Sequence, residues 1–256
     1  MQRIGKTLAI AHFLALAALI FWNYYSNTGV VNDQTVGEVS DKFANLFTPA
    51  SYAFAIWGLI YLGLLLLAGY WIYLAFNKPE KMPLILSAAP TLILAHIGNA
   101  LWLWFWLNEQ SMNSVIIMIG ILITLLITAI RLRGLQKDSS KLDKALIFTP
   151  THLYFGWISV ATIANFAAHL NSIDWKGGLS PVAWTIIVII TATLLGILMM
   201  IQLRMSVYSG VIIWALLAIA VRHRAEIETI MWTAIGGIIC ILIAYIGSKT
   251  WRTSKA

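Results

Sequence analysis

Three apolar stretches of the sequence carry aromatic and amide side chains at helical spacing. The first contains Phe54, Trp57 and Tyr61, which would share one face of a helix. The same spacing recurs at His96, Asn99, Trp102 and Trp106, and again at Tyr154, Trp157, Ala161 and Asn165. Indole and phenol rings form flat apolar walls, and amides supply a few oriented hydrogen bonds. This combination is typical of a pocket for a hydrophobic ligand.

The same stretches are poorly suited to acid–base catalysis or metal binding. They contain no Asp or Glu, which a hydrolase of that kind would need. His96 is deep in its stretch, and we expect it to be a neutral, hydrogen-bonded histidine rather than a haem ligand. The other histidines show no metal-ligand spacing. We predict no catalytic residue and no metal site, and the sequence favours a non-enzymatic protein without deciding the point.

The elements that must position these residues are membrane-spanning helices. The chain is 60% hydrophobic and only 11% charged, whereas soluble domains carry about 25% charged residues. Charges are absent from residues 7–32, 43–77, 82–108, 110–130, 145–173, 177–203, 205–221 and 229–248. A spanning helix needs about 20 apolar residues, and a charge at the bilayer centre costs roughly 3 kcal/mol. We therefore predict an all-α polytopic transmembrane bundle of eight spans.

The distribution of Lys and Arg predicts the orientation of these spans. Of the 17 Lys and Arg residues, all except Lys42, Lys176, Arg222 and Arg224 fall on the side that holds both termini. The positive-inside rule then places both termini in the cytoplasm, and the bias suits a bacterial plasma (inner) membrane. The net charge of +7 follows from the same bias. It indicates contact with anionic lipid rather than with nucleic acid.

In this orientation the three aromatic stripes reach similar depths. At 1.5 Å per residue, Trp57 lies about 11 Å below the outer end of its span, and Asn99 and Trp102 lie within about 14 Å of theirs. Trp157 falls near mid-membrane and Asn165 is shallower. The stripes therefore converge between the midplane and the outer leaflet, as one pocket requires. The alternative is a scaffold in which Trp and Tyr populate the membrane interfaces and Asn joins helices.

Three motifs in these spans resemble those of one known family. They are Thr48-Pro49 followed by Phe54, Trp57 and Tyr61; Asn99-x-x-Trp102; and Tyr154-x-x-Trp157 followed by Ala161-Thr162 and Asn165. In order and in helix position they are similar to those of the tryptophan-rich sensory protein/translocator protein (TspO) family, which is also called peripheral benzodiazepine receptor-like.

The resemblance implies a fold and a site. Residues 1–171 would form a TspO-like five-helix bundle whose pocket is roofed by the loop after the first helix. Residues 172–256 would add three transmembrane helices packed on it, as an extended branch of the family. The ligand-binding residues carried over are Trp57, Tyr61, Asn99, Trp102, Trp157, Ala161 and Asn165, which the stripes select independently.

Family members bind porphyrins and other tetrapyrroles, some bind sterols, and some promote light-dependent porphyrin breakdown. The resemblance therefore implies a sensory or carrier protein for a flat hydrophobic ligand, such as a porphyrin. A small-molecule secondary transporter and a light-dependent porphyrin-degrading enzyme are the alternatives. No cofactor is required, although a porphyrin or haem-type tetrapyrrole would be bound as ligand. The expected partners are this ligand and membrane lipid, with no nucleic acid, and a homodimer is left open.

Overall fold

The computed structural model describes residues 2–175 and 177–253. These residues form eight long helices, one for each of the eight charge-free stretches. The long helices are α1 (Gln2–Tyr25), α3 (Ile56–Asn77), α4 (Met82–Leu107), α5 (Ser111–Leu135), α7 (Thr149–Ser172), α8 (Pro181–Gln202), α9 (Ser206–His223) and α10 (Glu228–Thr253), and the short ones are α2 (Val36–Lys42) and α6 (Lys141–Asp143). The predicted all-α membrane bundle is confirmed. Lys176 and Lys255, which entered the charge comparison, lie outside the described residues.

Local sequence signals set several helix ends. A single π-turn, Ser26–Val30, follows α1, and Gly29 within it adopts φ +83°, a conformation that glycine tolerates best. Helix α2 begins with a capping box, in which the Thr35 side chain accepts from the Glu38 N–H and the Glu38 carboxylate accepts from the Thr35 N–H. Ser180 caps α8 ahead of Pro181, which suits the first helical turn. These ends fix where the chain enters and leaves the bundle.

The first five spans pack around the residues that carry the aromatic stripes. Helix α4 lies between α1 and α5, α5 packs on α7, and α3 packs on α1 and α7. The last three long helices pack on one another, and α9 joins them to α7. Helices α7 and α9 approach each other closely at Gly156, where an added Cβ would lie 3.0 Å from Val211 Cβ and 3.1 Å from the Tyr208 carbonyl oxygen. Small residues allow such approaches between membrane helices.

The fifth span begins earlier than its charge-free stretch and includes a carboxylate. It starts at Lys141, so that Asp143 falls within it and is fully buried. Lys81 Nζ donates to Asp143 Oδ2 at 2.7 Å, and the Tyr70 hydroxyl donates to Oδ1 at 2.9 Å. The expectation that the spans contain no carboxylate is therefore wrong at this end. Pairing with a cation is what allows a buried carboxylate to stay charged.

Candidate ligand-binding site

A cavity lies beneath α2, among α3, α4 and α7. Its walls carry Trp57, Trp102, Trp106 and Trp157, and α2 and the segment after it cover it with Val36, Ser40 and Phe43. It offers about 60 Å³ to the centres of water-sized molecules, and about 630 Å³ of space between atoms when its opening is included. The side chains from α7 are small along one face: Val160, Ala161, Ala164 and Ala168. A narrow, aromatic hollow results.

The aromatic rings around the cavity hold one another in fixed orientations. Trp57 and Trp157 meet edge to face, with ring centroids 6.5 Å apart and an interplanar angle of 85°. Phe54 makes a similar contact with Trp157 at 6.1 Å. On the α4 side, Trp102 and Trp106 stack at 5.8 Å and 19°. Both arrangements are favourable for aromatic pairs, so the walls are rigid.

Most of the residues predicted to form the site meet at this cavity. Trp57, Trp102, Trp157, Ala161 and Asn165 line it. The other two predicted residues lie one layer deeper, farther from α2. Tyr61 stacks against Trp57 with centroids 5.2 Å apart, and Asn99 Nδ2 donates to the Tyr154 hydroxyl at 3.1 Å. Tyr61 and Asn99 therefore lie behind the lining and support the wall of the cavity.

Polar groups at the cavity are few, and the protein itself uses most of them. Trp102 Nε1 donates to Asn165 Oδ1 at 3.0 Å, and Asn165 Nδ2 donates to Ser114 Oγ at 2.9 Å. By contrast, the buried Nε1 of Trp157 has no hydrogen-bond partner among the described residues. It is thus a buried N–H donor that no described acceptor reaches.

Helix α2 acts as a lid that is held by polar contacts. Trp106 Nε1 donates to the Val36 carbonyl at 3.2 Å, and Lys42 Nζ pairs with the Glu109 carboxylate at 2.6 Å. Gln34 Nε2 donates to the same carboxylate at 3.1 Å. Hydrogen bonds from Lys42 and Gln34 lower the pKa of Glu109 below its ordinary value. These contacts lie at the end of the bundle where α4 meets α5.

Comparison with known proteins decides the family. The sequence profile of the TSPO-like protein family matches residues 9–247. The chain belongs to the TSPO-like family. No curated protein and no solved structure was found to match it. The profile runs through α8 and α9 and into α10, well beyond the motifs in residues 1–171. This TSPO-like protein is therefore an integral membrane protein whose family likeness includes the added helices.

Several cavity residues of the TSPO-like protein were not among the seven predicted. Trp106 follows Trp102 on the same helical stripe, and Ala164 and Ala168 continue the face of Ala161 at helical spacing. Trp106 already lay on the α4 stripe but was not among the residues carried over, and the i+3 and i+7 neighbours of Ala161 would have given the other two. The lid residues, such as Ser40, carry no comparable signal. A helix of seven residues is too short for periodicity to show which side faces the bundle.

His96 has a hydrogen-bond partner in the bundle that spacing could not reveal. Its Nε2 lies 3.2 Å from Nε2 of His12, and the two rings come from α4 and α1. Both side chains are almost completely buried, at 1% and 0% exposure. The pair lies apart from the lining of the cavity under α2.

Proposed function

We propose that this TSPO-like protein binds a flat hydrophobic ligand, a porphyrin or another tetrapyrrole, in the cavity under α2, as a sensor or carrier. The observation that carries the proposal is the enclosure of one cavity by four tryptophans beneath a lid. Indole faces and edges suit a planar aromatic macrocycle, because such contacts add to the burial of apolar surface. The small residues of α7 leave room along one wall.

Binding of a macrocycle requires the lid to open. Small-molecule sites commonly measure about 300–1,000 Å³, whereas the closed cavity offers about 60 Å³ to the centres of water-sized molecules. Polar contacts such as the Lys42–Glu109 pair hold α2 in place, and its core contribution is small, with Val39 as its buried residue. Movement of α2 breaks the contacts of Val39 and those of the partly buried Val36 and Phe43, and widens the cavity.

The proposal assigns each polar group a distinct task. Trp157 Nε1 donates to an acceptor on the ligand, such as a carboxylate substituent. Asn165 orients Trp102 through their hydrogen bond and so keeps one wall in position. Trp57 and Trp157 contact the ring system, and Ala161 gives it space. With both termini in the cytoplasm of a bacterial cell, as the charge bias favours, the cavity opens towards the outer face of the plasma membrane.

Titration of the purified protein with protoporphyrin, followed by quenching of tryptophan fluorescence, tests this function. We expect saturable quenching, and at least about tenfold weaker binding after combined Trp57→Ala and Trp157→Ala, since each lost aromatic contact is worth about 1 kcal/mol. Trp232→Ala is the matched control, because Trp232 is 61% exposed on α10. Absence of quenching, or equal affinity of the double variant and the control, would refute the proposal.

Transport and chemistry need separate measurements once binding is established. A carrier moves protoporphyrin across liposomes that contain the protein, whereas a sensor binds it without flux. A light-dependent enzyme yields a degradation product under illumination and none in the dark. In each assay, the variant that combines Trp57→Ala with Trp157→Ala is the negative control.

A further inference from the structure

A second hollow lies between α1 and α4. It measures about 480 Å³, and no described residue lines both it and the cavity under α2. Ala15, Ala18 and Ala100 form a floor of small side chains, and Trp22 and Trp104 stand at one end. We call it the α1–α4 groove.

The α1–α4 groove faces the bilayer at mid-depth. Ala18 and Trp104 are exposed on the outer surface of the bundle, in helices that cross the membrane. His96, at the base of the groove, lies about 16 Å from the Leu107 end of α4 at 1.5 Å per residue. The bundle surface there contacts lipid tails. A molecule that reaches the groove must therefore dissolve in the bilayer.

An unusual concentration of unpaired polar atoms lies at the base of the groove. Within the described part of the chain, His96 Nδ1, His12 Nδ1 and Trp71 Nε1 are all buried without a hydrogen-bond partner. Trp71 lies beside His12, with ring centroids 4.7 Å apart. In lipid an unsatisfied polar group costs several kcal/mol. Three such atoms in one cluster call for a ligand or water that is bound there.

The hydrogen bond between the two histidines links their tautomers. One Nε2 carries the shared hydrogen and donates it to the other, so one neutral ring presents Nδ1 as donor and the other as acceptor. If His96 were the Nε2 donor, His12 Nδ1–H and Trp71 Nε1–H would be adjacent donors without an acceptor. In the opposite tautomer His12 donates through Nε2 and its Nδ1 is a bare acceptor, which the Trp71 N–H does not reach with a hydrogen bond. This tautomer leaves His96 Nδ1–H as a donor without a partner.

We propose that the α1–α4 groove binds a membrane-dissolved ligand with a ring carbonyl, of the quinone class with an apolar tail. The carbonyl oxygen accepts the hydrogen bond from His96 Nδ1–H, and the flat ring rests on the alanine floor. Trp22 is fixed at the end of the groove, because its Nε1 donates to the Ala100 carbonyl at 3.1 Å. The tail extends along the groove into the lipid. A lipid acyl chain would fill the same space but leave the His96 donor unpaired.

Binding of a tritiated decyl-substituted benzoquinone to the full-length protein in phosphatidylcholine nanodiscs tests the proposal, with unlabelled decylbenzene as competitor. We expect saturable quinone binding that decylbenzene displaces about five- to tenfold less well, as a buried hydrogen bond of about 1–1.5 kcal/mol implies. Equal displacement by unlabelled quinone and by decylbenzene would show an unspecific apolar groove and overturn the proposal.

Four variants locate the site. Ala100→Leu fills the groove and should weaken quinone binding about tenfold or more, whereas Ala164→Leu, which fills the cavity under α2, should leave quinone binding unchanged. His96→Phe should abolish the preference for quinone over decylbenzene. His96→Gln, which keeps an N–H donor, should retain part of the preference and provides the test if His96→Phe lowers the thermal stability. Wild-type quinone affinity in Ala100→Leu would place the ligand elsewhere.

Discussion

Trp102 on α4 donates its indole N–H to the side-chain oxygen of Asn165 on α7, at 3.0 Å. The amide nitrogen of Asn165 donates in turn to Ser114 on α5. One buried amide therefore ties three helices together at the wall of the candidate site. The aromatic wall and the stability of the bundle depend on the same side chain.

Replacement of Asn165 by alanine should destabilise the bundle and loosen the site together. Loss of the amide leaves the Trp102 N–H without its partner, at a cost of about 1–3 kcal/mol, and removes one hydrogen bond from the Ser114 hydroxyl, which still donates to the Ser111 carbonyl. We expect a lower thermal unfolding temperature in detergent and weaker protoporphyrin binding. Asn113→Ala is the control, since Asn113 is exposed and bonds only to Gln110 among the described residues. Equal unfolding temperatures of the two variants would contradict the role of Asn165.

The lid should respond to pH through Glu109. Its folded-state pKa is lowered, chiefly by the hydrogen bond from Lys42, so the carboxylate stabilises the closed lid above the ordinary pKa of a glutamate. That contribution is lost as the pH falls through the lowered pKa. We expect α2 to stay closed at neutral pH and to open more often in acid. Glu109→Gln should be open more often at neutral pH and less sensitive to this pH range, the remaining response coming from Glu38, whose pKa is lowered by its hydrogen bonds with Thr35 in the α2 capping box.

A cysteine placed in the cavity reports the lid. Ser40→Cys lines the cavity, and a Cys240→Ser background removes the native thiol. A thiol reagent should label the cysteine at position 40 faster in acid and faster in the Glu109→Gln variant. The labelling rate is corrected for thiol ionisation with the rate measured on a free cysteine-containing peptide. Glu80→Gln, exposed at the opposite end, is the control. A labelling rate that changes neither with pH nor with Glu109→Gln would show that the Lys42–Glu109 pair does not hold the lid.

The buried Asp143 should depend on Lys81. Lys81→Met removes the cation from a fully buried carboxylate, and since Lys81 is itself 29% exposed, we expect a moderate cost of about 1–3 kcal/mol. The thermal unfolding temperature should fall, and a second change, Asp143→Asn, should restore part of it by removing the unpaired charge. Lys78→Met, at a neighbouring exposed position, is the control. An unfolding temperature equal to that of the control would mean that the ion pair contributes nothing.

Gly156 should be sensitive to any larger side chain. A leucine there would press against Val211 and the Tyr208 carbonyl and force α9 away from α7, at about 1–3 kcal/mol. Gly69→Leu is the matched control, because no described atom lies within 4 Å of a Cβ at that position. We expect the unfolding temperature to fall only for Gly156→Leu. Destabilisation of both variants to the same extent would show that helix composition, rather than this contact, is responsible.

The number of spans could be predicted because lipid excludes charge so strongly. Each charge-free stretch overlaps one long helix, down to the shortest at Ser206–His223. The same reasoning misjudged the start of the fifth span, because a charge test stops at the first ionised residue. Asp143 lies within the helix since Lys81, distant in sequence, pairs with it. The pairing depends on tertiary contacts, whereas the start of the helix had a local signal in the capping box of Ser140 and Asp143, which a test of charge alone ignores.

Residues of the candidate site could be predicted from the sequence where they lie on regular helices, because helical periodicity shows which residues share a face. Trp57, Trp102 and Trp157 lie on regular helices, and helical spacing brought their faces to one cavity. Helical spacing could not show that Asn99 lies behind the wall, where it donates a hydrogen bond to Tyr154, rather than in the lining. The proximity of His12 to His96 also depends on how α1 packs against α4, which spacing within one helix does not determine.

The attachment of α9 to the segment just ahead of α3 makes the first five spans depend on the last three. Ala218 accepts a hydrogen bond from the backbone N–H of Ala50, and Trp214 donates to the Ala53 carbonyl. Both contacts brace the segment just ahead of Trp57. A chain cut after Ser172 would lose both partners at once, so the first five spans would enter α3 through a segment with one amide N–H and one carbonyl left to find other partners.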